Sequence, residues 1–357
     1  MCLSINKNSD QAANQLSIEY LSLNQVNLFQ KFMENNWASN HIFSKDSSVL
    51  DWQYKSSNSY NLIVAKKKGI LIGVQGYIPL SHFDNNLNNN QIFLALWATS
   101  QNGGIGIGLR VHKKLISEVN PKFIGSVGIN EKVVSFHKWQ GFNVGKMVHS
   151  VAVSPFIKNY TIAGIPKKYK IIPGRIEQGV NFKIIGLKEL TKIKNKDLFS
   201  QFWPTKSIEY IINRYLNNPF YSYEIYRFNL KNKLLGLFVI RIILENGKNV
   251  LRIVDYYGSN ESLEKSYALF IYLLKKYNAE YIDLYSLGIP KKSLEIAGLI
   301  SIGNQEELII PNYFEPFVKK NIDITYAYKA EKPHPPIRLF KGDGDQDRPS
   351  LIKGINC

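Results

Sequence analysis

The sequence predicts an α/β fold with mixed sheets of the α+β kind, built as two successive units with the same order of elements. A strand-like apolar run over residues 92–97 leads into a glycine-rich turn and then into a helix-like run whose apolar residues keep helical spacing up to Val119. The order of strand, helix, strand and short helix returns in the second half of the chain. The length of 357 residues is sufficient for two domains, each with its own core.

The first unit is predicted to span residues 1–160. An Asn-rich stretch over residues 84–90 is typical of an exposed connector between two strands. The helical and strand patterns of this unit indicate, in order, a helix over 25–34, strands over 61–65, 70–78 and 92–97, a helix ending near 120, a strand over 123–129 and a short helix that closes at Gly141-Phe142.

The second unit is predicted to span residues 161–333, followed by a tail over 334–357. The boundary follows Ser154-Pro155, where the sequence becomes mixed and polar as far as Gly179. Residues 245–249 form a strong hairpin turn. The patterns around it indicate strands over 235–244 and 250–256, a helix over 263–277, a strand over 281–285 and a short helix over 290–297, after which Gly298-Leu299 stands where the first unit has Gly141-Phe142.

The glycine-rich turn over residues 101–108 has the composition of an anion-binding turn. Glycines at a helix start let a phosphate approach backbone N–H groups that lack intrahelical partners, and the helix dipole favours the anion. The run is not the dinucleotide fingerprint G-x-G-x-x-G, because Leu109 stands at the required third position, and it lacks the Gly-Lys-Ser/Thr of a Walker loop. We therefore expect a diphosphate ligand of another class.

Gln101-x-x-Gly104-x-Gly106 resembles the Q/R-x-x-G-x-G/A signature of the GNAT superfamily of acyl-CoA N-acyltransferases. The helix and strand that follow, Asn130 and the Gly141-Phe142 ending resemble the same family. The resemblance implies acetyl-CoA, or another acyl-CoA, as the co-substrate. It implies a cofactor-binding set made of Trp97, Ala98, Thr99, Gln101, Gly103, Gly104, Ile105, Gly106, Gly108 and Asn130.

Two histidines are candidate catalytic residues. In the family a tyrosine of the last helix protonates the departing CoA thiolate, and counting back from Gly141-Phe142 places His137 near that position. An imidazole can donate a proton to a thiolate; the alternative is that His137 packs beside Phe136 and Trp139. His41 is the candidate base for the acceptor amine, and its alternative is a loop histidine hydrogen-bonded to backbone.

The second unit lacks the Q-x-x-G-x-G pattern, so it is interpreted as a degenerate GNAT-like domain that helps to form the acceptor site. Fem-type peptidoglycan transferases are also tandem GNAT folds, and this precedent favours the interpretation of two GNAT-like domains in one chain. Asp51 and Asp255 are candidates for taking a proton or holding sugar hydroxyls, and Lys206, Arg214 and Arg348 are candidates for binding phosphates.

The tail carries alternating carboxylates, Asp343, Asp345 and Asp347, ahead of Arg348. Such a D-x-D-x-D run suggests Ca²⁺, but it has neither the Gly at the sixth loop position nor the Glu at the twelfth. Acceptor binding, loop ordering and a solvated tail are the other interpretations. This tail, with Trp37 through His41 and Arg214-Tyr215, resembles tandem GNAT proteins of bacterial surface-polysaccharide biosynthesis, which implies a nucleotide-linked amino sugar as acceptor.

Composition excludes several other classes. The net charge of +17 comes from short basic clusters spread through the chain rather than from a basic tail, and no nucleic-acid-binding motif accompanies them. No run approaches the length needed to span a bilayer, and no signal peptide is visible. The cysteines, Cys2 and Cys357, give no disulfide framework, and the six histidines show no metal spacing. We expect a cytoplasmic protein without a metal centre.

Two other functions remain open at this point. One is a Fem-like transferase that uses aminoacyl-tRNA, which the positive charge would suit. The other is a non-catalytic binding subunit that has kept the GNAT fold. The intact Q-x-x-G-x-G turn argues against the first, because the Fem-like enzymes need no such turn for CoA.

Overall fold

Two large mixed sheets organise the computed structural model of the chain, which describes residues 16–194, 197–304 and 307–350. The first part of the chain alternates strands with short helices. Its elements are β1 (Leu16–Ser22), α1 (Val26–Asn36), α2 (Ile42–Lys45), α3 (Ser47–Tyr54), β2 (Ser59–Lys67), β3 (Ile70–Pro79), β4 (Gln91–Thr99), α4 (Ile107–Val119), β5 (Phe123–Val127), α5 (Val134–Trp139) and β6 (Asn143–Lys146).

The remaining elements follow after a single intervening residue. They are β7 (Val148–Val153), β8 (Val180–Ile184), α6 (Leu187–Leu190), α7 (Asp197–Ser200), α8 (Ile208–Ile211), β9 (Tyr223–Leu230), β10 (Lys233–Glu245), β11 (Lys248–Gly258), α9 (Asn260–Leu263), α10 (Tyr267–Lys276), β12 (Ala279–Leu287), α11 (Lys291–Ile296), β13 (Ile300–Ser301), β14 (Tyr313–Phe314), β15 (Phe317–Val318), β16 (Thr325–Ala330) and β17 (Leu339–Phe340). The predicted mixed α/β class is confirmed.

The two sheets have corresponding strand orders. The first runs β1-β2-β3-β4-β5-β16-β6, and the second runs β13-β7-β12-β11-β10-β9-β8, with β17 paired to β12. Each contains one parallel pair, β4 with β5 and β11 with β12, at the place where a helix connects the two strands. The repeated element order seen in the sequence therefore returns as a repeated sheet order within the described residues.

Each sheet receives one strand from the other half of the chain. β7 directly follows β6 in sequence, yet it joins the second sheet and lies antiparallel to β12, with Val153 opposite Tyr281. Conversely, β16 from the second half of the chain inserts between β5 and β6 of the first sheet, where Tyr326 lies opposite Val127. The predicted domain boundary near residue 160 stays a prediction. β7 precedes this boundary but belongs to the second sheet, and β16 follows it but belongs to the first.

One apolar core runs across both sheets. Phe29 and Phe43 of the first part and Tyr210 and Leu237 of the second belong to the same cluster of buried side chains. The two sheets also have separate cores on their outer faces, where α4 and α10 pack. Within the described residues, no helix combines the length and the apolar character that crossing a bilayer requires.

Candidate functional site

The two parallel strands of the first sheet separate and leave a cleft. The register of β4 and β5 pairs Gln91 with Phe123 and ends at Phe93 with Gly125, although β4 continues to Thr99. Beyond that point the strands enclose a cavity of about 380 Å³. Its walls come from the end of α1, from β3, β4, β5 and α5, from the chain around β14 and β16, and from the tail. The lining residues are Trp37, Gln75, Leu94, Ala95, Trp97, Ser126, Val127, Gly128, Ile129, Asn130, Val133, His137, Tyr313, Asp323, Thr325 and Asp345.

A bulge in β4 lies at the wall of this cavity. Leu94 pairs with Tyr77 and Trp97 pairs with Gln75, so β4 has one residue more than β3 between these pairs. A bulge of this kind interrupts the ladder and leaves backbone polar groups without their regular partners. Backbone donors and acceptors are therefore available on β4 beside the cavity.

The glycine turn stands at the start of α4 and takes the conformation that its sequence predicted. Gly104 and Gly106 have φ of +83° and +86°, a region that other residues rarely adopt. A β-carbon at either position would meet no atom within 4 Å, so the space in front of the turn is open. Ile105 is fully exposed between them. The turn offers an accessible backbone surface at the positive end of a helix of 13 residues.

Trp97 connects this turn to the cavity. A β-carbon on Gly108, in the first turn of α4, would lie 3.3 Å from Trp97 Nε1, so the helix packs closely on β4 and a larger residue would require Trp97 to shift slightly. The indole of Trp97 lines the cavity together with His137, and their ring centroids are 6.2 Å apart. The glycine turn and the cavity are therefore neighbouring parts of one surface.

His137 is a buried, neutral imidazole in the wall of the cavity. Its side chain packs against Phe142 and Trp97, and its Nδ1 has no hydrogen-bond partner. Burial, with a smaller contribution from His112, lowers the pKa of His137 to about 4. The ring is therefore uncharged at neutral pH, and its Nδ1 is a buried polar atom that no hydrogen bond satisfies.

No protein-family model and no curated protein matches the sequence. Solved structures do match the fold. A GCN5-related N-acetyltransferase from Anabaena variabilis ATCC 29413 superimposes with a TM-score of 0.54 at 11% identity, covering 88% of this chain and 72% of that protein. A GCN5-related N-acetyltransferase from Kribbella flavida gives 0.52 at 8% identity, covering 90% and 72%. The chain has a GNAT-type fold. At identities this low, the superpositions show the fold alone.

The other residues of the predicted cofactor set surround this GNAT-type cleft. Ala98 and Thr99 continue β4 past the bulge, opposite Val74 and Gly73. Gln101 and Gly103 form the short turn ahead of Gly104, and a β-carbon on Gly103 would lie 3.0 Å from the Ile72 carbonyl oxygen. Asn130 lines the cavity, and its side chain accepts a hydrogen bond from Lys132 N at 2.9 Å. Their role in binding CoA stays a prediction.

His41 lies at the start of α2 rather than in the cavity wall. Its Nδ1 accepts a hydrogen bond from Phe43 N at 3.2 Å, which leaves Nε2 as the nitrogen that holds the ring proton. Burial, followed by the charge of Arg348, lowers the pKa of His41 to about 4. This geometry corresponds to the alternative of a histidine hydrogen-bonded to backbone, and the role as a base stays untested.

The three carboxylates of the tail have three separate sets of partners. Asp343 lies 2.7 Å from Lys206, Asp345 lies 2.9 Å from Arg348, and Asp347 lies 2.9 Å from Arg241. Among the residues that the structure describes, no cluster of three or more acidic, histidine or cysteine side chains could hold a metal ion. Asp345 is the tail carboxylate that reaches the cavity wall.

The residues predicted to bind phosphates lie inside the protein. Lys206 is 6% exposed and bridges Asp255 and Asp343, with 2.7 Å to each carboxylate. Arg214 is 4% exposed and donates to the carbonyl oxygens of Gly342 and Gly344. The structure gives these side chains the role of anchoring the tail, one of the alternatives considered for it, and their role in substrate binding stays untested.

Asp255 and Asp51 occupy opposite environments. Asp255 is fully buried and accepts hydrogen bonds from the hydroxyls of Tyr215 and Tyr257 at 2.9 and 2.6 Å. Asp51 lies on α3 near the surface, in an ion pair with Lys55 and with a hydrogen bond from Tyr60. Neither carboxylate lines the cavity of about 380 Å³, so their predicted contact with the acceptor has no support from its geometry.

Several residues that line the cavity are not among the predicted site residues. Tyr313, Asp323 and Thr325 lie far from the glycine turn in sequence and reach the cleft because β16 inserts beside β5. Gln75 lies opposite Trp97 on β3. A strand that crosses between two units leaves no mark in local sequence patterns, because its alternation of apolar and polar residues fits either sheet.

Proposed function

We propose that the protein is an acyl-CoA-dependent N-acyltransferase that uses acetyl-CoA as its donor. The single observation that carries the proposal is the cleft between β4 and β5, which opens beyond Phe93 and Gly125 directly beside the open glycine turn. A cavity of about 380 Å³ falls within the usual size range of small-molecule sites. Cleft and turn together fit a ligand with a diphosphate at one end and a narrow reactive arm at the other.

The donor fits this surface in two parts. The diphosphate of CoA accepts hydrogen bonds from backbone N–H groups at the start of α4, where Gly104 and Gly106 leave open space. The pantetheine arm, which carries amide groups, lies along β4 in the cleft and pairs with backbone groups that β5 does not use. The thioester then lies near the bulge, where a backbone N–H polarises its carbonyl oxygen.

The reaction needs one new bond and the transfer of one proton. The neutral amine attacks the thioester carbon, the C–N bond forms, the C–S bond breaks, and the proton lost by the amine balances the one gained by the CoA sulfur. His137 is assigned to this proton transfer, since it lines the cavity and its Nδ1 has no hydrogen-bond partner in the protein. A developing thiolate beside the ring would raise the pKa of His137 from its low value.

We propose further that the acceptor is an amino sugar carried on a nucleotide. Asp345 and Asp323 line the cavity, and although they pair with Arg348 and Lys146, their carboxylates keep the capacity to accept further hydrogen bonds from hydroxyl or amine groups. Trp37, which is 51% exposed, provides an aromatic face at the same cavity. Carboxylates combined with an aromatic face suit a polar ring with an amine.

The experiment is thermal unfolding of the purified chain with acetyl-CoA, followed by an assay of CoA release with a panel of amines that includes nucleotide-linked amino sugars. A ligand that binds the native state raises the unfolding midpoint. Gly104→Val and Gly106→Val should abolish the acetyl-CoA shift. Gly69→Val is the matched control, because Gly69 also has positive φ, +73°, and open space around it but lies in the β2–β3 turn. If wild type shows no shift at millimolar acetyl-CoA, the proposal is wrong and the tRNA-dependent and non-catalytic alternatives return.

A further inference from the structure

A second, smaller cavity adjoins the one in the cleft, and Tyr313 lines both. Its volume is about 50 Å³. One water needs about 10–15 Å³ by the same kind of measure, so the space is sufficient for a group of a few heavy atoms. Cationic side chains dominate its lining: Arg241, Arg252, Lys341 and Arg348. The carboxylates in that lining are Asp347 and Glu315.

The guanidinium groups already have acidic partners. Arg241 pairs with Asp347 at 2.9 Å, and Arg348 pairs with Asp345 at 2.9 Å. Arg252 lies 2.7 Å from Asp283, behind the cavity lining. The hydroxyls of Tyr223 and Tyr221 donate to Asp347 and Glu315, so both lining carboxylates are held in place.

Lys341 differs from these arginines. It is 4% exposed, and within the described residues no carboxylate forms an ion pair with it. Its ammonium group donates to the backbone and side-chain oxygens of Asn312 and lies over the rings of Tyr285 and Tyr313. Burial, followed by the charge of Arg252, holds the pKa of Lys341 well below its usual value. An ammonium that lacks a counter-ion has this property.

Two residues that line the same cavity have buried hydrogen-bond donors without partners. Asn312 is 2% exposed, and its Nδ2 has no hydrogen-bond partner. The Nε of Arg348 is also buried without one. Buried donors without partners are uncommon in native proteins because each has lost its hydrogen bonds to water. An anion in this space would accept from these donors and would supply the counter-charge that Lys341 lacks.

We propose that this cavity binds one anionic group, a phosphate or a carboxylate, of the molecule whose amine reacts in the larger cavity. The assignment of that group to the acceptor rests on the proposed function, whereas the anion site itself does not. Asp345 and Arg348 form an ion pair between the two cavities, so the anion and the amine lie on opposite sides of one internal contact. The acceptor class is therefore an amine that also carries a negative charge.

The test is isothermal titration calorimetry of the full chain with sodium phosphate and, separately, sodium acetate, each at constant ionic strength set with sodium chloride. Binding of phosphate alone would identify a phosphate subsite, and binding of acetate a carboxylate subsite. Lys341→Met removes the charge at similar volume, and Asn312→Asp places a carboxylate beside Lys341. Both variants should weaken anion binding by about tenfold or more. Lys341→Met removes a charge-assisted hydrogen bond to the anion, and in Asn312→Asp the new carboxylate takes the place of the anion beside Lys341.

Lys114→Met is the matched control, because Lys114 is exposed on α4 and pairs with Glu118. It should bind both anions as wild type does. Wild type that binds neither anion, or variants that bind as tightly as wild type, would overturn the anion site. Acetyl-CoA is titrated into the same samples and should bind wild type and Lys341→Met alike. If wild type does not bind acetyl-CoA, the proposed function is contradicted and the result for the anion site still stands.

Discussion

Gln346 lies so close to Gly128 that a β-carbon at position 128 would clash with the Gln346 side-chain nitrogen. Gly128 directly follows β5 and lines the cleft cavity. The tail residue therefore packs against the end of the strand whose separation from β4 creates the cavity. Strand end and tail form one wall, and a change in either should alter the other.

Gly128→Ala is predicted to lose about 1–3 kcal/mol or more of the free energy of unfolding, since it combines a strained φ with a clash against Gln346. Gly128 has φ of +82°. Gly69→Ala is the control, because its φ is +73° and its surroundings are open, so it meets the backbone strain alone. Urea unfolding of both variants measures the difference. Equal losses would show that Gln346 moves aside freely.

Lys206→Met is predicted to destabilise the protein by about 3–5 kcal/mol, because it leaves two buried carboxylates without their counter-charge. Lys206 lies 2.7 Å from both Asp255 and Asp343. Adding Asp343→Asn to Lys206→Met should restore part of the loss, since one uncompensated charge disappears. Denaturant unfolding of the single and double variants decides the point. A double variant less stable than Lys206→Met would contradict the assigned anchoring role.

Acid should remove the contribution of Asp283 to stability. Burial alone would raise the pKa of Asp283, but the charge of Arg252 and the hydrogen bond from His149 outweigh burial and hold it well below its usual value. A depressed pKa stabilises the folded state above the unfolded value of about 4, and this contribution is lost as the pH falls towards the folded value.

Asp283→Asn should therefore be less stable than wild type at pH 7 by about 3–5 kcal/mol, because Arg252 loses its partner. The gap between the two proteins should narrow as the pH is lowered below about 4. Unfolding midpoints in urea across this range provide the measurement. A gap that stays constant into strong acid would show that Asp283 is not the group responsible.

His137→Ala and His137→Gln should both lower kcat by about 10²–10⁴-fold, the usual contribution of acid–base catalysis, with acetyl-CoA binding unchanged. The glutamine variant keeps a polar side chain of similar length next to Phe142 and so separates catalysis from packing. His334→Ala is the control, because His334 stacks on Trp203 and does not line the cleft cavity. A normal kcat in the glutamine variant would remove His137 from the mechanism.

The features that sequence reasoning predicted best are local. The glycine turn opens α4 as expected, because positive φ at Gly104 and Gly106 is a property of those residues themselves. The strand and hairpin around residues 245–249 also follow from local signals, with Glu245 opposite Lys248. His137 lines the cavity, and it belongs to the same short segment as Gly141-Phe142, from which its catalytic role is predicted; that role stays a prediction.

Long-range placement was beyond the sequence. The charge of Lys206 and Arg214 predicts phosphate binding, whereas in the structure Lys206 pairs with Asp343 and Arg214 donates to the carbonyl oxygen of Gly342. A sequence shows a charge but not whether a distant segment already neutralises it. The position of Thr325 in the cavity wall also cannot be predicted from local sequence, because it depends on which sheet β16 joins.

The exchange of β7 and β16 also determines when the cleft can form during synthesis. The first sheet needs residues 325–330 to fill the place between β5 and β6, so about 180 residues must be made after β6 before its last gap closes. The strand that the second sheet takes from the first half of the chain, β7, is synthesised before the strands it pairs with. A nascent chain that stops short of residue 325 lacks one wall of the cleft, and the complete cleft forms only after both halves of the chain have been synthesised.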